Sequence, residues 1–177
     1  MINFANLLLD IYPLKYKLEV EPIRYFRHTK ISNEEINPEF IDLLKSNDIH
    51  IFYAEFFYSP PYYIQPIHVD APGGDIVKIN FVLGGANSTM SWYKEKPNII
   101  VPIKKTSVGT SYTEYTIDQV ELIETHTIGF PSLVQVGIPH RIVNAHESRI
   151  CASFVCKDKL NTPIPMTTVI TKLQKYI

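Results

Sequence analysis

A histidine and an aspartate two residues apart, in Pro66-Ile67-His68-Val69-Asp70, are the first side chains in this sequence whose types and spacing could do chemistry. On an extended chain alternate residues share a face, so the imidazole and the carboxylate can turn to the same side and take neighbouring positions on one cation. A His-x-Asp pair alone is a common accident of sequence. A third donor changes its weight: Gly137-Ile138-Pro139-His140 sets a histidine at the end of an expected strand. Two histidines and one carboxylate are the facial set that suits non-haem Fe(II) and leaves three coordination positions open. Structural zinc sites are usually closed tetrahedra richer in cysteine, and this chain has only Cys151 and Cys156.

Arg149 follows His140 by nine residues and opens another strand-like run. An inward guanidinium beside a cation site calls for an anion. Its planar fork matches a carboxylate through two parallel hydrogen bonds, so the far carboxylate of a dicarboxylic cosubstrate is the expected partner. The plainer alternative is a surface pair with Glu147 or Asp158. His126 is the rival third donor, although Arg141, the next arginine after it, lies fifteen residues on. His28 and His50 read as surface or ordinarily satisfied residues, and His146 as a loop histidine. Asn80 shares strand parity with Ile76 and Lys78, and is expected to face the site as a wall that helps bind the cosubstrate; an amide bonded to nearby backbone is the alternative.

Taken together, His68-Val69-Asp70, His140 and Arg149 in Arg149-Ile150-Cys151-Ala152-Ser153 make the sequence resemble the iron(II)/2-oxoglutarate-dependent dioxygenases, over about residues 50–157. Segments 78–83 and 87–93 also look like small viral and bacterial members of that family. The resemblance implies a double-stranded β-helix (jelly-roll, cupin-like) core, Fe(II) held by His68, Asp70 and His140, and 2-oxoglutarate anchored by Arg149. It further implies consumption of O2, release of succinate and CO2, and hydroxylation of a C–H bond. Cys151 departs from the pattern, standing where many members carry serine.

The elements that must position these groups are partly readable. Asn37-Pro38 opens a helix, because asparagine caps well and proline suits the first turn; Phe40, Ile41 and Leu44 then share one face, and Ser46-Asn47-Asp48 closes it. Strand-like runs follow at 49–58, 76–83, 89–93, 132–137 and 149–157, punctuated by Gly73-Gly74, Gly84-Gly85 and Gly137-Ile138-Pro139. Tyr58, Tyr62, Tyr63, Trp92 and Tyr93 supply rings for core and rim packing, and the last residues, 171–177, read as a solvated tail or short helix. Cys151 and Cys156 differ in parity and are expected on opposite sides of their strand. The expectation is one α+β domain spanning 1–177, with a jelly-roll core and amino-terminal flanking helices.

Composition bounds the function. Hydrophobic residues form 45% and charged residues 20% of 177, which supports one packed core and excludes a disordered chain. A net charge of -1 demands no polyelectrolyte partner, so nucleic acid is disfavoured, and nothing resembles a signal peptide or membrane span. A reducing compartment is expected, the cytoplasm, or the host cytoplasm for a viral protein. The expected substrate is a protein or peptide side chain, with a small molecule as the alternative. Two rival readings remain open: a cupin-like metalloenzyme that does not use 2-oxoglutarate, and a non-catalytic β-sandwich used for binding or assembly.

Overall fold

The computed structural model describes residues 4–70, 75–129 and 131–177. The expected turn at Gly73-Gly74 lies outside the described residues. Twelve strands follow the chain: β1 (Phe4–Asn6), β2 (Arg27–Ile31), β3 (His50–Ser59), β4 (Ile67–Asp70), β5 (Val77–Gly84), β6 (Thr89–Glu95), β7 (Ile103–Lys105), β8 (Ser111–Tyr115), β9 (Val120–Thr127), β10 (Ser132–Gln135), β11 (His140–Val143) and β12 (Arg149–Lys157). Helix α1 (Pro38–Ser46) precedes β3, and α2 (Met166–Lys172) follows β12.

The strands form two six-stranded sheets, ordered β1-β10-β5-β12-β3-β2 and β7-β8-β4-β11-β6-β9. Every pairing is antiparallel. From β3 to β6 and again from β9 to β12 the chain passes from one sheet to the other at each step, and this alternation is what makes the sandwich a jelly roll.

The first sheet is covered on both faces. On its outer face Val77, Ile79 and Phe81 of β5, Ala152 and Phe154 of β12, and Leu133 of β10 meet Phe40 and Leu44 of α1 and Val169 and Leu173 at the C-terminal helix. Phe40 stands edge-on to Phe81 and Phe154, with ring centroids 5.4 and 5.1 Å away. Helix α1 forms for the reasons its sequence offers. The Asn37 side chain accepts the Glu39 N–H at 3.0 Å, proline occupies the first turn, and Lys45 sits at the last turn. Between the sheets a smaller apolar cluster of Ile76, Met90, Trp92, Val134, Val136 and Val155 closes one part of the sandwich. There the Trp92 indole N–H donates across the sheets to the Gln135 carbonyl at 2.7 Å.

Two expectations are corrected. The amino-terminal flanking helices reduce, among the described residues, to α1 alone; the remainder is β1, β2 and irregular chain. Pro13 and Pro22 interrupt any continuing i→i−4 ladder in this segment. Of the two readings of 171–177, the short helix is the one found, as the end of α2 and a following 3-10 turn at Gln174–Tyr176; the tail reading is corrected, since Leu173 is buried and Lys172 pairs with Asp48 at 2.7 Å. No described helix is long and apolar enough to cross a membrane.

Because α1 and the first sheet share one core through Phe40, Phe40→Ala is expected to lower stability by about 3–5 kcal/mol in urea titrations. A loss under 1 kcal/mol would show that the helical layer is only loosely attached.

Candidate metal centre

Strand β4 turns His68 and Asp70 to the interior of the sandwich, as their spacing predicts. Strand β11 opens with His140, whose Cα partner across the ladder is His68 itself. The two imidazole rings lie 4.3 Å apart, and one ligand atom from each of His68, Asp70 and His140 falls within 4.8 Å of the others. The triad therefore arises from two adjacent antiparallel strands whose residues are distant in sequence.

The histidines are held alike. His68 Nδ1 lies 2.9 Å from the Pro66 carbonyl, and His140 Nδ1 lies 2.9 Å from the Ile138 carbonyl. A carbonyl only accepts, so each Nδ1 carries the proton and each Nε2 presents a lone pair to the centre. Burial, followed by the neighbouring His68, lowers the His140 pKa to about 3 and keeps that ring neutral. Burial works against the Asp70 charge, but Lys78, His68 and His140 override it and hold the carboxyl below its ordinary range. Neutral imidazoles and an ionised carboxylate are the protonation states a divalent cation requires.

The first sheet supplies the facing wall. Arg149, Cys151 and Ser153 of β12, with Lys78 and Asn80 of β5, line the same recess as the triad. Asn80 is buried there, and its Oδ1 accepts from Ser153 Oγ at 2.6 Å. Cys151 lies on this wall and Cys156 in the outer core, both as free thiols, in agreement with their parity. Arg149 is 1% exposed, and its Nε and Nη2 have no hydrogen-bond partner. The surface pairs weighed against this role do not form. The Glu147 carboxylate takes the Ala86 N–H at 3.2 Å, and the Asp158 carboxylate takes the N–H groups of Leu160 and Thr162 at 2.8 Å. Gly85, at φ +61°, backs the arginine closely: a Cβ there would stand 2.7 Å from Arg149 Cβ.

The recess before Arg149 is narrow, about 30 Å3, and shares His68, Asp70, Lys78, Phe57 and Tyr63 with an outer cavity of about 240 Å3. The outer cavity is bounded by β2, β3 and the β7–β8 hairpin. Tyr63 faces it and stacks on Phe26 at 4.9 Å, whereas Tyr62 points to solvent and Trp92 is core.

His126 is excluded from the centre by position. It lies on the edge strand β9, stacked on Phe4 at 4.9 Å with Nε2 3.2 Å from Glu124. His146 is an exposed loop histidine, as expected. His28 is not on the surface: its side chain is 7% exposed, its ring stacks on Phe57, and Nε2 is 3.1 Å from Glu55 Oε1 without hydrogen-bond alignment.

Three residues escaped the sequence reading of the site. Lys78 reaches Asp70 Oδ2 at 2.7 Å and Glu55 Oε2 at 3.7 Å. Its signal was a lone lysine within the apolar run 76–83. Burial opposes the Lys78 charge, yet Asp70 and Glu55 keep the ammonium protonated above the usual lysine range. Glu55 sits in an aromatic strand where a single acid reads as a solvent-facing residue. Asn144 ties together the loop between His140 and Arg149: it accepts from Ser88 Oγ at 2.6 Å and donates to the carbonyls of Pro60 and Glu147 at 2.6 and 2.8 Å.

No protein-family model matches the chain, and no curated protein does. Among solved structures it is similar to a vicilin from Capsicum annuum (10% identity, TM-score 0.41, covering 86% of this chain and 32% of that one). It is also similar to oxalate oxidase in complex with the substrate analogue glycolate (10% identity, TM-score 0.41, 93% and 73%). A third is Peruvianin-I, a cysteine peptidase from Thevetia peruviana latex (8% identity, TM-score 0.37, 82% and 69%). The chain thus spans about a third of the vicilin. At these scores the likeness carries no argument, and the jelly-roll assignment rests on the strand order.

The lowered His140 pKa has a consequence for the metal-free protein. Between about pH 3 and its unfolded value of ~6.5, the unfolded chain binds a proton that the folded chain refuses. Stability is therefore expected to fall as pH drops through that window and to rise toward neutrality. Asp70, also lowered, acts only below about pH 4. Urea midpoints followed from about pH 4 to 7 should climb in the wild type and flatten in His140→Gln; a flat wild-type profile would contradict the burial argument.

Proposed function

We propose that this chain is an Fe(II)- and 2-oxoglutarate-dependent oxygenase that hydroxylates a C–H bond, with release of succinate and CO2. The observation that carries the reading is Arg149: a fully buried guanidinium, in no ion pair among the described residues, lining one recess with a two-histidine, one-carboxylate triad. A buried charge without a partner costs several kcal/mol, so an anion is the missing component of this site. Two histidines and one aspartate fit Fe(II) with positions to spare, whereas a closed zinc site would need a fourth protein ligand.

The residues divide the work. His68 and His140 would hold the ion through Nε2, oriented by their carbonyl-bonded Nδ1 atoms, and Asp70 would supply the balancing negative charge. Arg149 would bind the far carboxylate of 2-oxoglutarate, with the Asn80–Ser153 pair as the polar wall beside it. Iron with 2-oxoglutarate supplies, when bound, the oxidising power that turns O2 into an inserted hydroxyl. Phe57 and Tyr63, shared by the two cavities, stand where a substrate entering from the outer cavity would be oriented and water excluded. A protein or peptide side chain is the substrate class proposed, with a small molecule as the alternative. The compartment proposed is a reducing one, the cytoplasm of the cell or of a host.

Anaerobic addition of Fe(II) and 2-oxoglutarate should produce a weak visible band at about 500 nm, the mark of a 2-oxo acid chelated to a facial-triad iron. Arg149→Ala should weaken 2-oxoglutarate binding by roughly 10–100-fold while sparing the metal, because one charge-assisted pair contributes about 1.5–3 kcal/mol. Succinate release, screened against peptides, free amino acids and nucleosides, identifies the substrate. Metal binding with no response to 2-oxoglutarate would replace this reading with a cupin-like metalloenzyme of another type, and no metal binding by the folded protein would leave a non-catalytic sandwich.

A further inference from the structure

Lys78 is 3% exposed, and its ammonium lies between two carboxylates from different sheets. Nζ is 2.7 Å from Asp70 Oδ2 and 3.7 Å from Glu55 Oε2; behind Glu55, His28 Nε2 stands 3.1 Å from Oε1. The Phe57 ring, 5.2 Å from Nζ, closes another side of the ammonium. The two Asp70 oxygens therefore have different surroundings. Oδ2 is bound to Lys78, while Oδ1 faces the imidazoles, 3.5 Å from His68 Nε2.

That asymmetry bears directly on ligation. A carboxylate can bind a cation through one oxygen or two, and a second oxygen would occupy one of the positions that a facial triad leaves open. An ammonium already bonded to Oδ2 removes that option. It also neutralises Asp70 before any cation arrives, so the empty triad need not splay apart under an uncompensated buried charge. Lys78 is poorly placed to serve as a second cosubstrate anchor, because two carboxylates already hold it, whereas Arg149 has none.

We propose that Lys78 is a positioning residue that confines Asp70 to one-oxygen ligation, keeping three positions open on the ion, with Glu55, from the same sheet as Lys78, holding the ammonium in place. The inference rests on the triad being a metal site and deepens that reading. It does not depend on 2-oxoglutarate.

The test uses the full chain loaded with Mn(II) and no cosubstrate. Water-proton relaxation reports the exchangeable waters on the bound ion. Lys78→Met should lower the enhancement per bound ion by about one third, as Asp70 Oδ2 takes one of the three open positions. Lys78→Arg, which restores a cationic donor, should return it to the wild-type level. Equal relaxation in Lys78→Met and wild type, with the ion bound in both, overturns the proposal. Removing the ammonium takes their cation from buried Glu55 and partly buried Asp70 and can unfold the chain, so the wild type provides the second measurement. A crystal structure of the Mn(II)-loaded protein should show Oδ1 alone on the ion and Oδ2 still on Lys78. Both oxygens on the ion, or a displaced ammonium, also overturns the proposal. A one-third fall in a protein that never gives the 2-oxoglutarate band would sink the oxygenase reading and leave this one standing. A normal band with unchanged relaxation would do the reverse.

Discussion

A row of largely buried charge links the two sheets across the interior of the sandwich. Asp70 belongs to one sheet, Lys78 and Glu55 to the other, and the 2.7 Å contact between Asp70 and Lys78 joins them across the gap. Charges of this kind are tolerated in an interior only when paired, and pairing across sheets sets the spacing at which the walls can stand. The apolar cluster around Trp92 closes another part of the gap and leaves the charged part as a cavity rather than a core.

A sandwich that gives interior volume to polar groups must find its stability elsewhere. Here the first sheet is buried twice. Its outer face packs against α1, the C-terminal helix and the amino-terminal segment, in the larger of the clusters that contain its residues. Strand β12 shows the arrangement in a single element: Ile150, Ala152 and Phe154 face the outer core, while Arg149, Cys151 and Ser153 face the site. The helical layer thus compensates for a hydrophilic interior, and the rigid sheet it supports is what can place an arginine opposite a triad.

The site also separates its charges. The candidate cation ligands come from β4 and β11 in the second sheet, and the Arg149 guanidinium from β12 in the first. A bound molecule able to bridge ion and arginine must therefore be bifunctional, with a chelating end and an anionic end, and this geometric demand is what gives the proposed cosubstrate its shape. The hydrogen bonds of Asn144 organise the loop that connects His140 to Arg149, so the distance between the two ends of the site is set by structure and not by a slack connection.

Local regularity alone determined much of this protein. The period of two in a strand placed His68 and Asp70 on one face, an asparagine-proline start announced α1, and dense β-branched and aromatic runs announced β3, β5, β6 and β12. Parity also separated Cys151 from Cys156 correctly. Tertiary structure decided what lies opposite what. His140 rather than His126 completes the triad because β11, and not β9, pairs with β4, and that neighbour relation depends on how the chain alternates between sheets. Lone charged positions such as Glu55 look from the chain like solvent-facing ones. They became an interior wall because a helical layer, contributed from distant residues, covers the other face of the sheet; periodicity reports which residues share a side, but only packing determines which side meets water.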